Sequence, residues 1–557
     1  MGSAETDTVT DDSPSTDDPP IESSARRWRV VSSYSPAAIS VALLFVFGIV
    51  KLALPLGRAF TTFGDIAYIE LGVRQALHHG NALGVYSRFG WHHPGPALFY
   101  VMAPWYWMSG DSSRSLFLGA WLINGASALG AVWIVRARAD EWAARLMTIV
   151  LFASVLIFGF RHFIDPWNPK LLALPVLLLM VSAAASYSGS AWAFVVALVA
   201  ASYLVQTHLG TFPISVALLL LGAFGFTRHW LRPGDRPAVR PGAVAPRSSL
   251  RAPLIVAIGL LTLMWIAPVV QEVTNHNGNL SQIVSFYAHP PADEPASHSL
   301  SSSFVVVSNQ STVVPLGVPK DTHGHRSRLL MAGALAALGL AAAGVARRRA
   351  PFIAALGLTT TIGLAVAVLA ASRVVGPQDT YLFYWTETLP FPAMVAGGWL
   401  VLDRARSAAD HVSAADTSAA RPPYGLAVSV VSALAVVVLL GGVVRSVAHA
   451  SSTSIGDGPR ARIITGHIEL ELGDKRRPFT LHDEVPKLSD PGALSVQLDK
   501  DGYHFHLDPT VNLYRGNITA PVAGPTFVIR AATPAAVARP GERFIATVGK
   551  IEVIERA

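Results

Sequence analysis

The strongest constraint on this sequence is a series of long apolar blocks that contain almost no charge. They cover residues 41–56, 116–135, 146–160, 171–185, 193–205, 254–270, 329–345, 352–369 and 427–444. Most approach the ~20 apolar residues that a helix needs to cross a hydrocarbon core ~30 Å thick. A buried soluble helix explains one such block, not a whole series. The sequence predicts an α-helical polytopic membrane protein with about 11 to 13 transmembrane helices.

Composition excludes several other classes of protein. The segments of alternating polarity that are typical of membrane β-barrel strands do not occur. Only 14% of residues are charged, against about 25% in soluble domains. There is no cysteine, which excludes disulfides and thiolate metal sites. The net charge of +7 comes from basic residues beside the apolar blocks, so it indicates membrane orientation rather than nucleic-acid binding.

The chain divides into three parts. Residues 1–35 lack core-forming residues at their start and carry Arg26, Arg27 and Arg29 near their end, which predicts a disordered cytoplasmic tail. Residues 36–448 form the membrane domain. Residues 449–557 have soluble composition, with strand-like runs at 461–472, 503–507, 526–529 and 544–554. They predict a small β-rich domain, expected outside the cytoplasm if the number of crossings is odd.

Charge in the loops sets the expected orientation. Basic clusters at 227–252, 347–349 and 404–406 are expected in the cytoplasm, and the loops 57–93, 161–170, 271–328 and 373–387 outside. Arg136, Arg138 and Arg145 also look cytoplasmic, although counting helices from the first loop can place them outside. A short helix pair that does not fully cross would resolve this conflict.

The first outward loop contains a predicted amphipathic helix. Its apolar residues recur at helical spacing, which is typical of a helix at the membrane interface. Asp65 stands at its start, with Glu70 one turn further. Asp65 can be an N-cap that accepts backbone hydrogen bonds. It can equally be a general base at the membrane surface, and this loop does not decide between the two.

Further candidates follow in the outward loops and at helix ends. His92 and His93 can contact a phosphate or a sugar hydroxyl, or be ordinary interfacial residues. Cations bind phosphate oxygens, and polar groups at membrane depth are functional candidates by default. On these grounds the candidate substrate-binding residues also include Arg161, His162, Asp165, Lys170, His208, Arg373 and Tyr381. No nucleotide-binding, dinucleotide or metalloprotease motif occurs in the sequence.

This pattern resembles the GT-C superfamily of membrane glycosyltransferases. Within that superfamily it resembles in particular the branch that includes the protein O-mannosyltransferases and aminoarabinose transferases. The general character of the sequence is similar to that of actinobacterial cell-envelope transferases. The resemblance rests on Gly64-Asp65 through Glu70, on Trp91-His92-His93-Pro94-Gly95-Pro96 and on Asp165-Pro166. Two features depart from it. Ile66 stands where a second acid would follow Asp65, and the C-terminal domain has no counterpart that we can name.

The resemblance implies a polyprenyl-phosphate-linked sugar donor and a glycan, lipid or protein acceptor outside the cytoplasm. Asp65 and Glu70 would be the catalytic residues, with Asp65 as general base and inversion at the anomeric carbon. The cations would balance the charge of the leaving phosphate. We expect no metal or other cofactor, and a plasma-membrane location in cell-wall biogenesis.

Two other functions are compatible with the residues. A lipid or solute transporter, including a flippase, would place its polar groups near the bilayer midplane. A non-catalytic scaffold for envelope assembly would leave the placement of Asp65 and Asp165 unexplained. Because the candidate groups concentrate in outward loops and at helix ends, surface chemistry on a lipid-borne substrate is favoured.

Overall fold

The computed structural model describes residues 35–231, 250–317, 324–415, 424–450, 459–475, 477–484, 490–507, 524–532 and 540–556. The tail 1–34 and most of the basic loop 227–252 lie outside the described residues. The helices of the membrane domain are α1 Pro36–Ala53, α2 Gly64–His78, α3 Ala97–Met108, α4 Ser115–Arg138, α5 Glu141–Phe158, α6 Phe160–Ile164, α7 Ala173–Tyr187, α8 Ala191–Thr207, α9 Phe212–Leu231, α10 Arg251–Thr274, α11 Asn279–Ala288, α12 Leu300–Ser311, α13 Val313–Leu316, α14 His325–Ala346, α15 Pro351–Ser372, α16 Phe391–Ala415 and α17 Tyr424–His449.

The candidate membrane crossings in the described ranges comprise nine long apolar helices and two further helices of the same bundle. Nine are long and apolar enough by length and composition, and they are α1, α4, α5, α7 with its leading turn, α9, α10, α14, α15 and α17. The shorter α8 packs against α7 and α9, and the less apolar α16 packs against α14 and α15. Together these helices confirm the predicted polytopic membrane fold.

Contacts identify two ends of the helix bundle. Arg136 and Arg145 both pair with Glu141, which begins α5, and we call this side the arginine end. The amide of Ala37 donates to Glu141 at 3.2 Å, so α1 begins at the arginine end. The last turn of α17 contacts Lys51, near the far end of α1. The membrane domain therefore starts at the arginine end and leaves at the opposite side, which we call the loop end.

Helix α3 does not cross the membrane. It has 12 residues, which span about 18 Å at 1.5 Å per residue and fall short of the hydrocarbon core. The chain then turns back through Gly110 and Asp111, both with positive φ, and Asp111 accepts a hydrogen bond from Arg74 of α2 at 2.7 Å. Both ends of α3 therefore lie at the loop end. The helix that begins after Pro96 is therefore not the second crossing, which is α4.

This correction resolves the conflict over orientation. Helices α2 and α3 form a short pair at the loop end, so α4 runs from the loop end to the arginine end and carries Arg136 and Arg138 there. The basic residues of α4, α5 and α16 then lie together. Arg406, for example, approaches Asp140 at 3.6 Å.

The C-terminal domain is a mixed α/β unit. Its elements are α18 Pro459–Leu472, β1 Phe479–Asp483, α19 Pro491–Lys500, β2 Phe505–Leu507, β3 Thr526–Ala531, β4 Glu542–Val548 and β5 Ile551–Arg556. The sheet order is β2-β1-β3-β5-β4, with β1 parallel to both of its neighbours and β5 antiparallel to both of its own. Phe479, Phe527 and Ile468 are fully buried between sheet and helices.

The strand predicted at 461–472 is a helix instead. Ala461, Ile464, Ile468 and Leu472 are all buried, and their spacing of three to four residues matches one face of a helix. The strand propensity of Ile and Thr suggested the wrong element, because the spacing of the apolar residues carries more information than their type. The strands expected near 503–507 and 526–529 are present, and the run 544–554 forms two antiparallel strands, β4 and β5, rather than one.

Candidate active site at the loop end of the bundle

Helix α2 lies between the bundle and the C-terminal domain. Ile69 and Val73 are fully buried against the bundle, and Ile66 and Leu77 pack beside them, as the sequence predicts. The opposite face is also covered, because Ala67 and Leu71 pack against Val496 of α19. The expected interfacial helix is therefore enclosed by protein on two sides.

Asp65 lies in the first turn of α2 and does not act as its N-cap. The N-cap is Phe63, whose side chain makes no capping hydrogen bond. The amide of Gly64 donates instead to the Asp490 carboxylate of the C-terminal domain, at 2.7 Å. The Asp65 side chain is exposed to solvent. Its carboxylate is thus available for a reaction.

The surroundings raise the pKa of Asp65. Removal of water by the surrounding protein is the largest cause, and the negative charge of Asp490 acts in the same direction. A hydrogen bond from the Trp167 side chain opposes both, because it stabilises the carboxylate. The result is a carboxyl group that is a stronger base than an isolated aspartate.

Trp167 joins the first loop to the second. Its backbone amide donates to Asp165 at 3.1 Å, while its side chain hydrogen-bonds to Asp65. Asp165 is buried and accepts a hydrogen bond from Lys170 at 2.6 Å. Lys170 in turn lies 5.9 Å from the Trp167 ring centre. Two predicted site residues, Asp165 and Lys170, therefore lie beside the Asp65 site.

Aromatic side chains from the segment before α16 line one side of the candidate site, next to Trp167. Tyr381 lies 5.3 Å from Trp167 between ring centres, and Tyr384 lies 6.3 Å from it. Burial raises the pKa of Tyr381, the positive charge of Arg88 opposes this rise, and the negative charge of Asp65 adds a smaller contribution to it. Arg88 itself pairs with Asp379 at 3.0 Å. A predicted site residue, Tyr381, and an unpredicted cation, Arg88, thus lie near Asp65.

His162 contacts a second acid of that segment. Its Nε2 lies 2.8 Å from an oxygen of Glu387, which is almost fully buried, and its ring packs near Tyr384. His162 therefore packs against Tyr384, one of the aromatic side chains that line this side of the candidate site. Arg161 and Arg373 are exposed at the edge of the same end of the bundle.

The other histidines connect structural elements. His92 exchanges backbone hydrogen bonds with the Asn279 side chain, at 2.8 and 2.9 Å. His93 is buried, stacks on His208 with ring centres 4.8 Å apart, and accepts a hydrogen bond from the amide of Leu209. Burial lowers the pKa of His93 well below its ordinary value. These contacts favour a structural role for the three histidines.

Glu70 is fully buried beneath α2. Both of its oxygens are occupied, since it accepts hydrogen bonds from Thr62, Tyr106 and Ser113 and pairs with Lys500 at 2.5 Å. Such a site leaves no room for an acceptor substrate. The geometry favours a structural role, and the catalytic role that the sequence suggested for Glu70 stays an untested prediction.

Sequence reasoning missed the contribution of the C-terminal domain. Asp490, Asp499 and Lys500 all contact α2, yet they lie more than 400 residues away along the chain. No local pattern marks them. Trp167 is not among the predicted site residues, although Pro166 and Pro169 flank it and Asp165 and Lys170 lie close by in sequence. In the described ranges no cluster of three or more His, Asp or Glu could hold a metal ion.

Comparisons with known proteins show where this architecture recurs. No protein-family model matches the chain, and none of the curated proteins does. Among solved structures, the chain is similar to ArnT from Cupriavidus metallidurans bound to undecaprenyl phosphate. The TM-score is 0.54 at 15% identity, with 95% of this chain and 98% of that chain covered. The apo state of ArnT gives a TM-score of 0.52 at 13% identity, with 96% and 98% covered. The chain has a GT-C-like fold.

The GT-C-like fold includes the C-terminal domain. That domain makes up 109 of 557 residues, and a match over 95% of the chain leaves too few residues uncovered to omit it. The similarity to ArnT therefore extends into this domain. Archaeoglobus fulgidus AglB, an oligosaccharyltransferase in complex with an inhibitory peptide and a dolichol-phosphate, gives a TM-score of 0.38 at 11% identity, with 84% and 63% covered.

Proposed function

We propose that this protein is a membrane glycosyltransferase that moves a sugar from a polyprenyl-phosphate donor to an acceptor outside the cytoplasm. The single observation that carries the proposal is the position of Asp65. An exposed carboxylate of raised pKa lies at the start of an interfacial helix, hydrogen-bonded to a loop that also supplies a lysine. The likeness to ArnT bound to undecaprenyl phosphate supports the donor class.

In the proposed reaction Asp65 acts as the general base. It takes the proton from the acceptor hydroxyl while that oxygen attacks the anomeric carbon from the side opposite the phosphate. The bond between the anomeric carbon and the phosphate oxygen breaks, and the phosphate leaves with the electron pair. The product sugar is inverted. General-base assistance of this kind contributes about 10²–10⁴-fold in rate.

Lys170 and Arg88 are the proposed partners of the phosphate. Lys170 has three N–H donors and directs one of them to Asp165, so it can also bind a phosphate oxygen. Arg88 is partly exposed beside Tyr381, and guanidinium groups bind phosphate in a bidentate geometry. Preorganised cations stabilise charge that develops on a leaving group.

The basic residues support an orientation. The arginine end would face the cytoplasm, and the loop end with the C-terminal domain would face outward across the plasma membrane. The acceptor would then be a glycan, lipid or protein of the cell envelope. If α8 and α16 cross together with the nine long apolar helices, the number of crossings is eleven, and an odd number would place the N-terminus and the C-terminal domain on opposite sides of the membrane.

The proposal is tested with purified protein in liposomes. Radiolabelled sugars on polyprenyl phosphate are supplied with envelope glycan, lipid or peptide acceptors, and transfer of label is measured. We expect Asp65→Asn to reduce transfer by about 10²–10⁴-fold while the protein keeps its elution volume and melting temperature.

The matched control is Asp403→Asn. Asp403 lies in α16 close to Arg406, at the arginine end and therefore on the side of the bundle opposite Asp65, and we expect the Asp403→Asn variant to transfer at the wild-type rate. Wild-type turnover in Asp65→Asn would remove the proposed mechanism. Movement of unlabelled donor across the liposome membrane without any transfer would instead identify a transporter.

A further inference from the structure

One carboxylate of the C-terminal domain caps two helices at once. One oxygen of Asp490 accepts from the amide of Ala493 at 3.1 Å, at the start of α19, and the other accepts from the amide of Gly64 at 2.7 Å, at the start of α2. Gly64 has φ of 56°, a left-handed conformation that favours glycine, and its N–H faces the other domain. Asp490 therefore fixes the backbone directly before Asp65.

Further residues of α19 also pack against α2. A Cβ at Gly492 would lie 3.1 Å from the Cβ of Ala67, so glycine at this position lets the two helices approach closely, and a larger residue needs a shift of a few tenths of an ångström. Val496 packs between Ala67 and Leu71. The contact is therefore apolar at its centre.

Two ionic contacts extend this interface toward the C-terminal half of α2. Lys500 pairs with the buried Glu70, and Asp499 pairs with Arg74. Arg74 also pairs with Asp111 at 2.7 Å. Buried charges of this kind need their partners, because an unpaired charge in a buried site is costly. The interface therefore specifies one position of α2 against α19.

We propose that the C-terminal domain completes the active site by holding the Asp65-bearing helix in its reactive position, with Asp490 as the positioning residue. This inference rests on the glycosyltransferase function proposed above. Asp490 does not touch the reacting atoms in this proposal. It acts through the backbone of Gly64 and through its charge, which faces Asp65.

Several titratable groups share this environment. Asp65, Asp483, Asp490 and Tyr86 all act on Tyr68 of α2, and burial together with these charges raises the pKa of that phenol. From the second loop Trp167 hydrogen-bonds to Asp65, and from the segment before α16 Tyr381 lies within its electrostatic reach. Among the carboxylates in the described ranges of the C-terminal domain, Asp490 is the one whose charge acts on Asp65.

The docked position is tested by a cross-link. The chain has no cysteine, so Ala67→Cys with Gly492→Cys introduces a single possible disulfide between α2 and α19. Disulfides hold their Cβ atoms about 3.8 Å apart, so a shift of a few tenths of an ångström suffices. We expect the cross-link to form and the oxidised protein to transfer sugar at the rate of its reduced form.

Two outcomes of the cross-link would overturn the proposal. Failure of the disulfide to form would show that the two helices do not meet. Loss of transfer on oxidation, restored by a reductant, would show that the docked domain blocks the site rather than completes it.

The role of Asp490 is tested by Asp490→Asn. An amide has one acceptor oxygen, so it can cap only one of the two helices, and it carries no charge. We expect the maximal transfer rate to fall about tenfold and the acid limb of the pH–rate profile to move to lower pH. The matched control is Asp499→Asn, which contacts the same helix at Arg74 and should leave the acid limb in place.

These readouts separate the positioning role from a structural one and from the proposed function. Loss of stability in Asp490→Asn with an unmoved acid limb would reduce Asp490 to a structural cap and refute the inference. Absence of transfer by the wild-type protein with every donor would refute the proposed function instead, while the cross-link would still report whether the domain docks.

Discussion

The Trp167 side chain hydrogen-bonds to the Asp65 carboxylate, although the two residues lie in different loops and about 100 positions apart. The backbone amide of the same tryptophan donates to Asp165. One residue thereby sets the position of both acids at the loop end. The candidate site is built from three loops that meet at this indole rather than from one continuous motif.

Trp167→Phe keeps an aromatic ring and removes the indole N–H. Because that hydrogen bond lowers the pKa of Asp65, its loss raises this pKa further. A base works only when deprotonated, so the acid limb of the pH–rate profile should move to higher pH, opposite to the shift expected for Asp490→Asn. We also expect the maximal rate to fall about tenfold, equivalent to about 1.4 kcal/mol. The profile of kcat/KM checks both effects, and an acid limb that stays in place would separate Trp167 from Asp65.

Lys170→Gln removes the cation beside Trp167. Charge-assisted hydrogen bonds contribute about 1.5–3 kcal/mol, so we expect kcat/KM for the polyprenyl-phosphate donor to fall by roughly tenfold or more. Lys170→Arg keeps the charge and should stay within about threefold of wild type. Because Asp165 loses its partner in Lys170→Gln, the double variant with Asp165→Asn controls for the unpaired acid. A double variant with wild-type donor affinity would exclude a phosphate-binding role for Lys170.

The membrane domain could be predicted from sequence because its determinants are local. Each crossing is a run of apolar residues, and the periodic apolar face of α2 is visible within a few turns. The exception is α3, which is apolar but too short to cross. Its apolar residues pack beneath α2, and a run of apolar residues alone does not reveal that packing.

The site could be predicted only in part. Asp65, Asp165, Lys170 and Tyr381 stood out because charged and polar groups are scarce in such a sequence. The partners of Glu70 and Gly64 could not be found this way, since Lys500 and Asp490 belong to a separate domain and only tertiary packing brings them to α2. In the sequence, His93 and His208 cannot be told apart from ligand-binding histidines. Only the packing of their two rings against each other indicates a structural role.

Lys500→Met tests the buried ion pair beneath α2. The Glu70 side chain is 0% exposed, so the substitution leaves a buried charge without its main partner. Removal of one partner of such a pair typically costs about 3–5 kcal/mol. We expect a lower melting temperature and faster proteolysis of the C-terminal domain.

Two further variants serve as controls for the stability of Lys500→Met. Lys550→Met, in the exposed turn between β4 and β5, should leave the melting temperature unchanged. Adding Glu70→Gln to Lys500→Met should recover part of the lost stability, because the remaining group is then neutral. A single Lys500→Met variant as stable as the wild type would show that the pair does not hold the two domains together.

The last prediction concerns the pH dependence of the C-terminal domain. Burial and a shared hydrogen bond with Asp501 raise the pKa of Glu469 to about 7. A carboxyl whose pKa is higher in the folded state favours folding while it is protonated. Its contribution is therefore full below the unfolded pKa, near 4.5, and is lost as the pH rises toward 7. Glu469→Gln should raise the melting temperature of the domain at pH 8 and change it little at pH 5. Thermal unfolding of the full-length chain at both pH values checks this, and equal effects at the two values would show that Glu469 titrates normally.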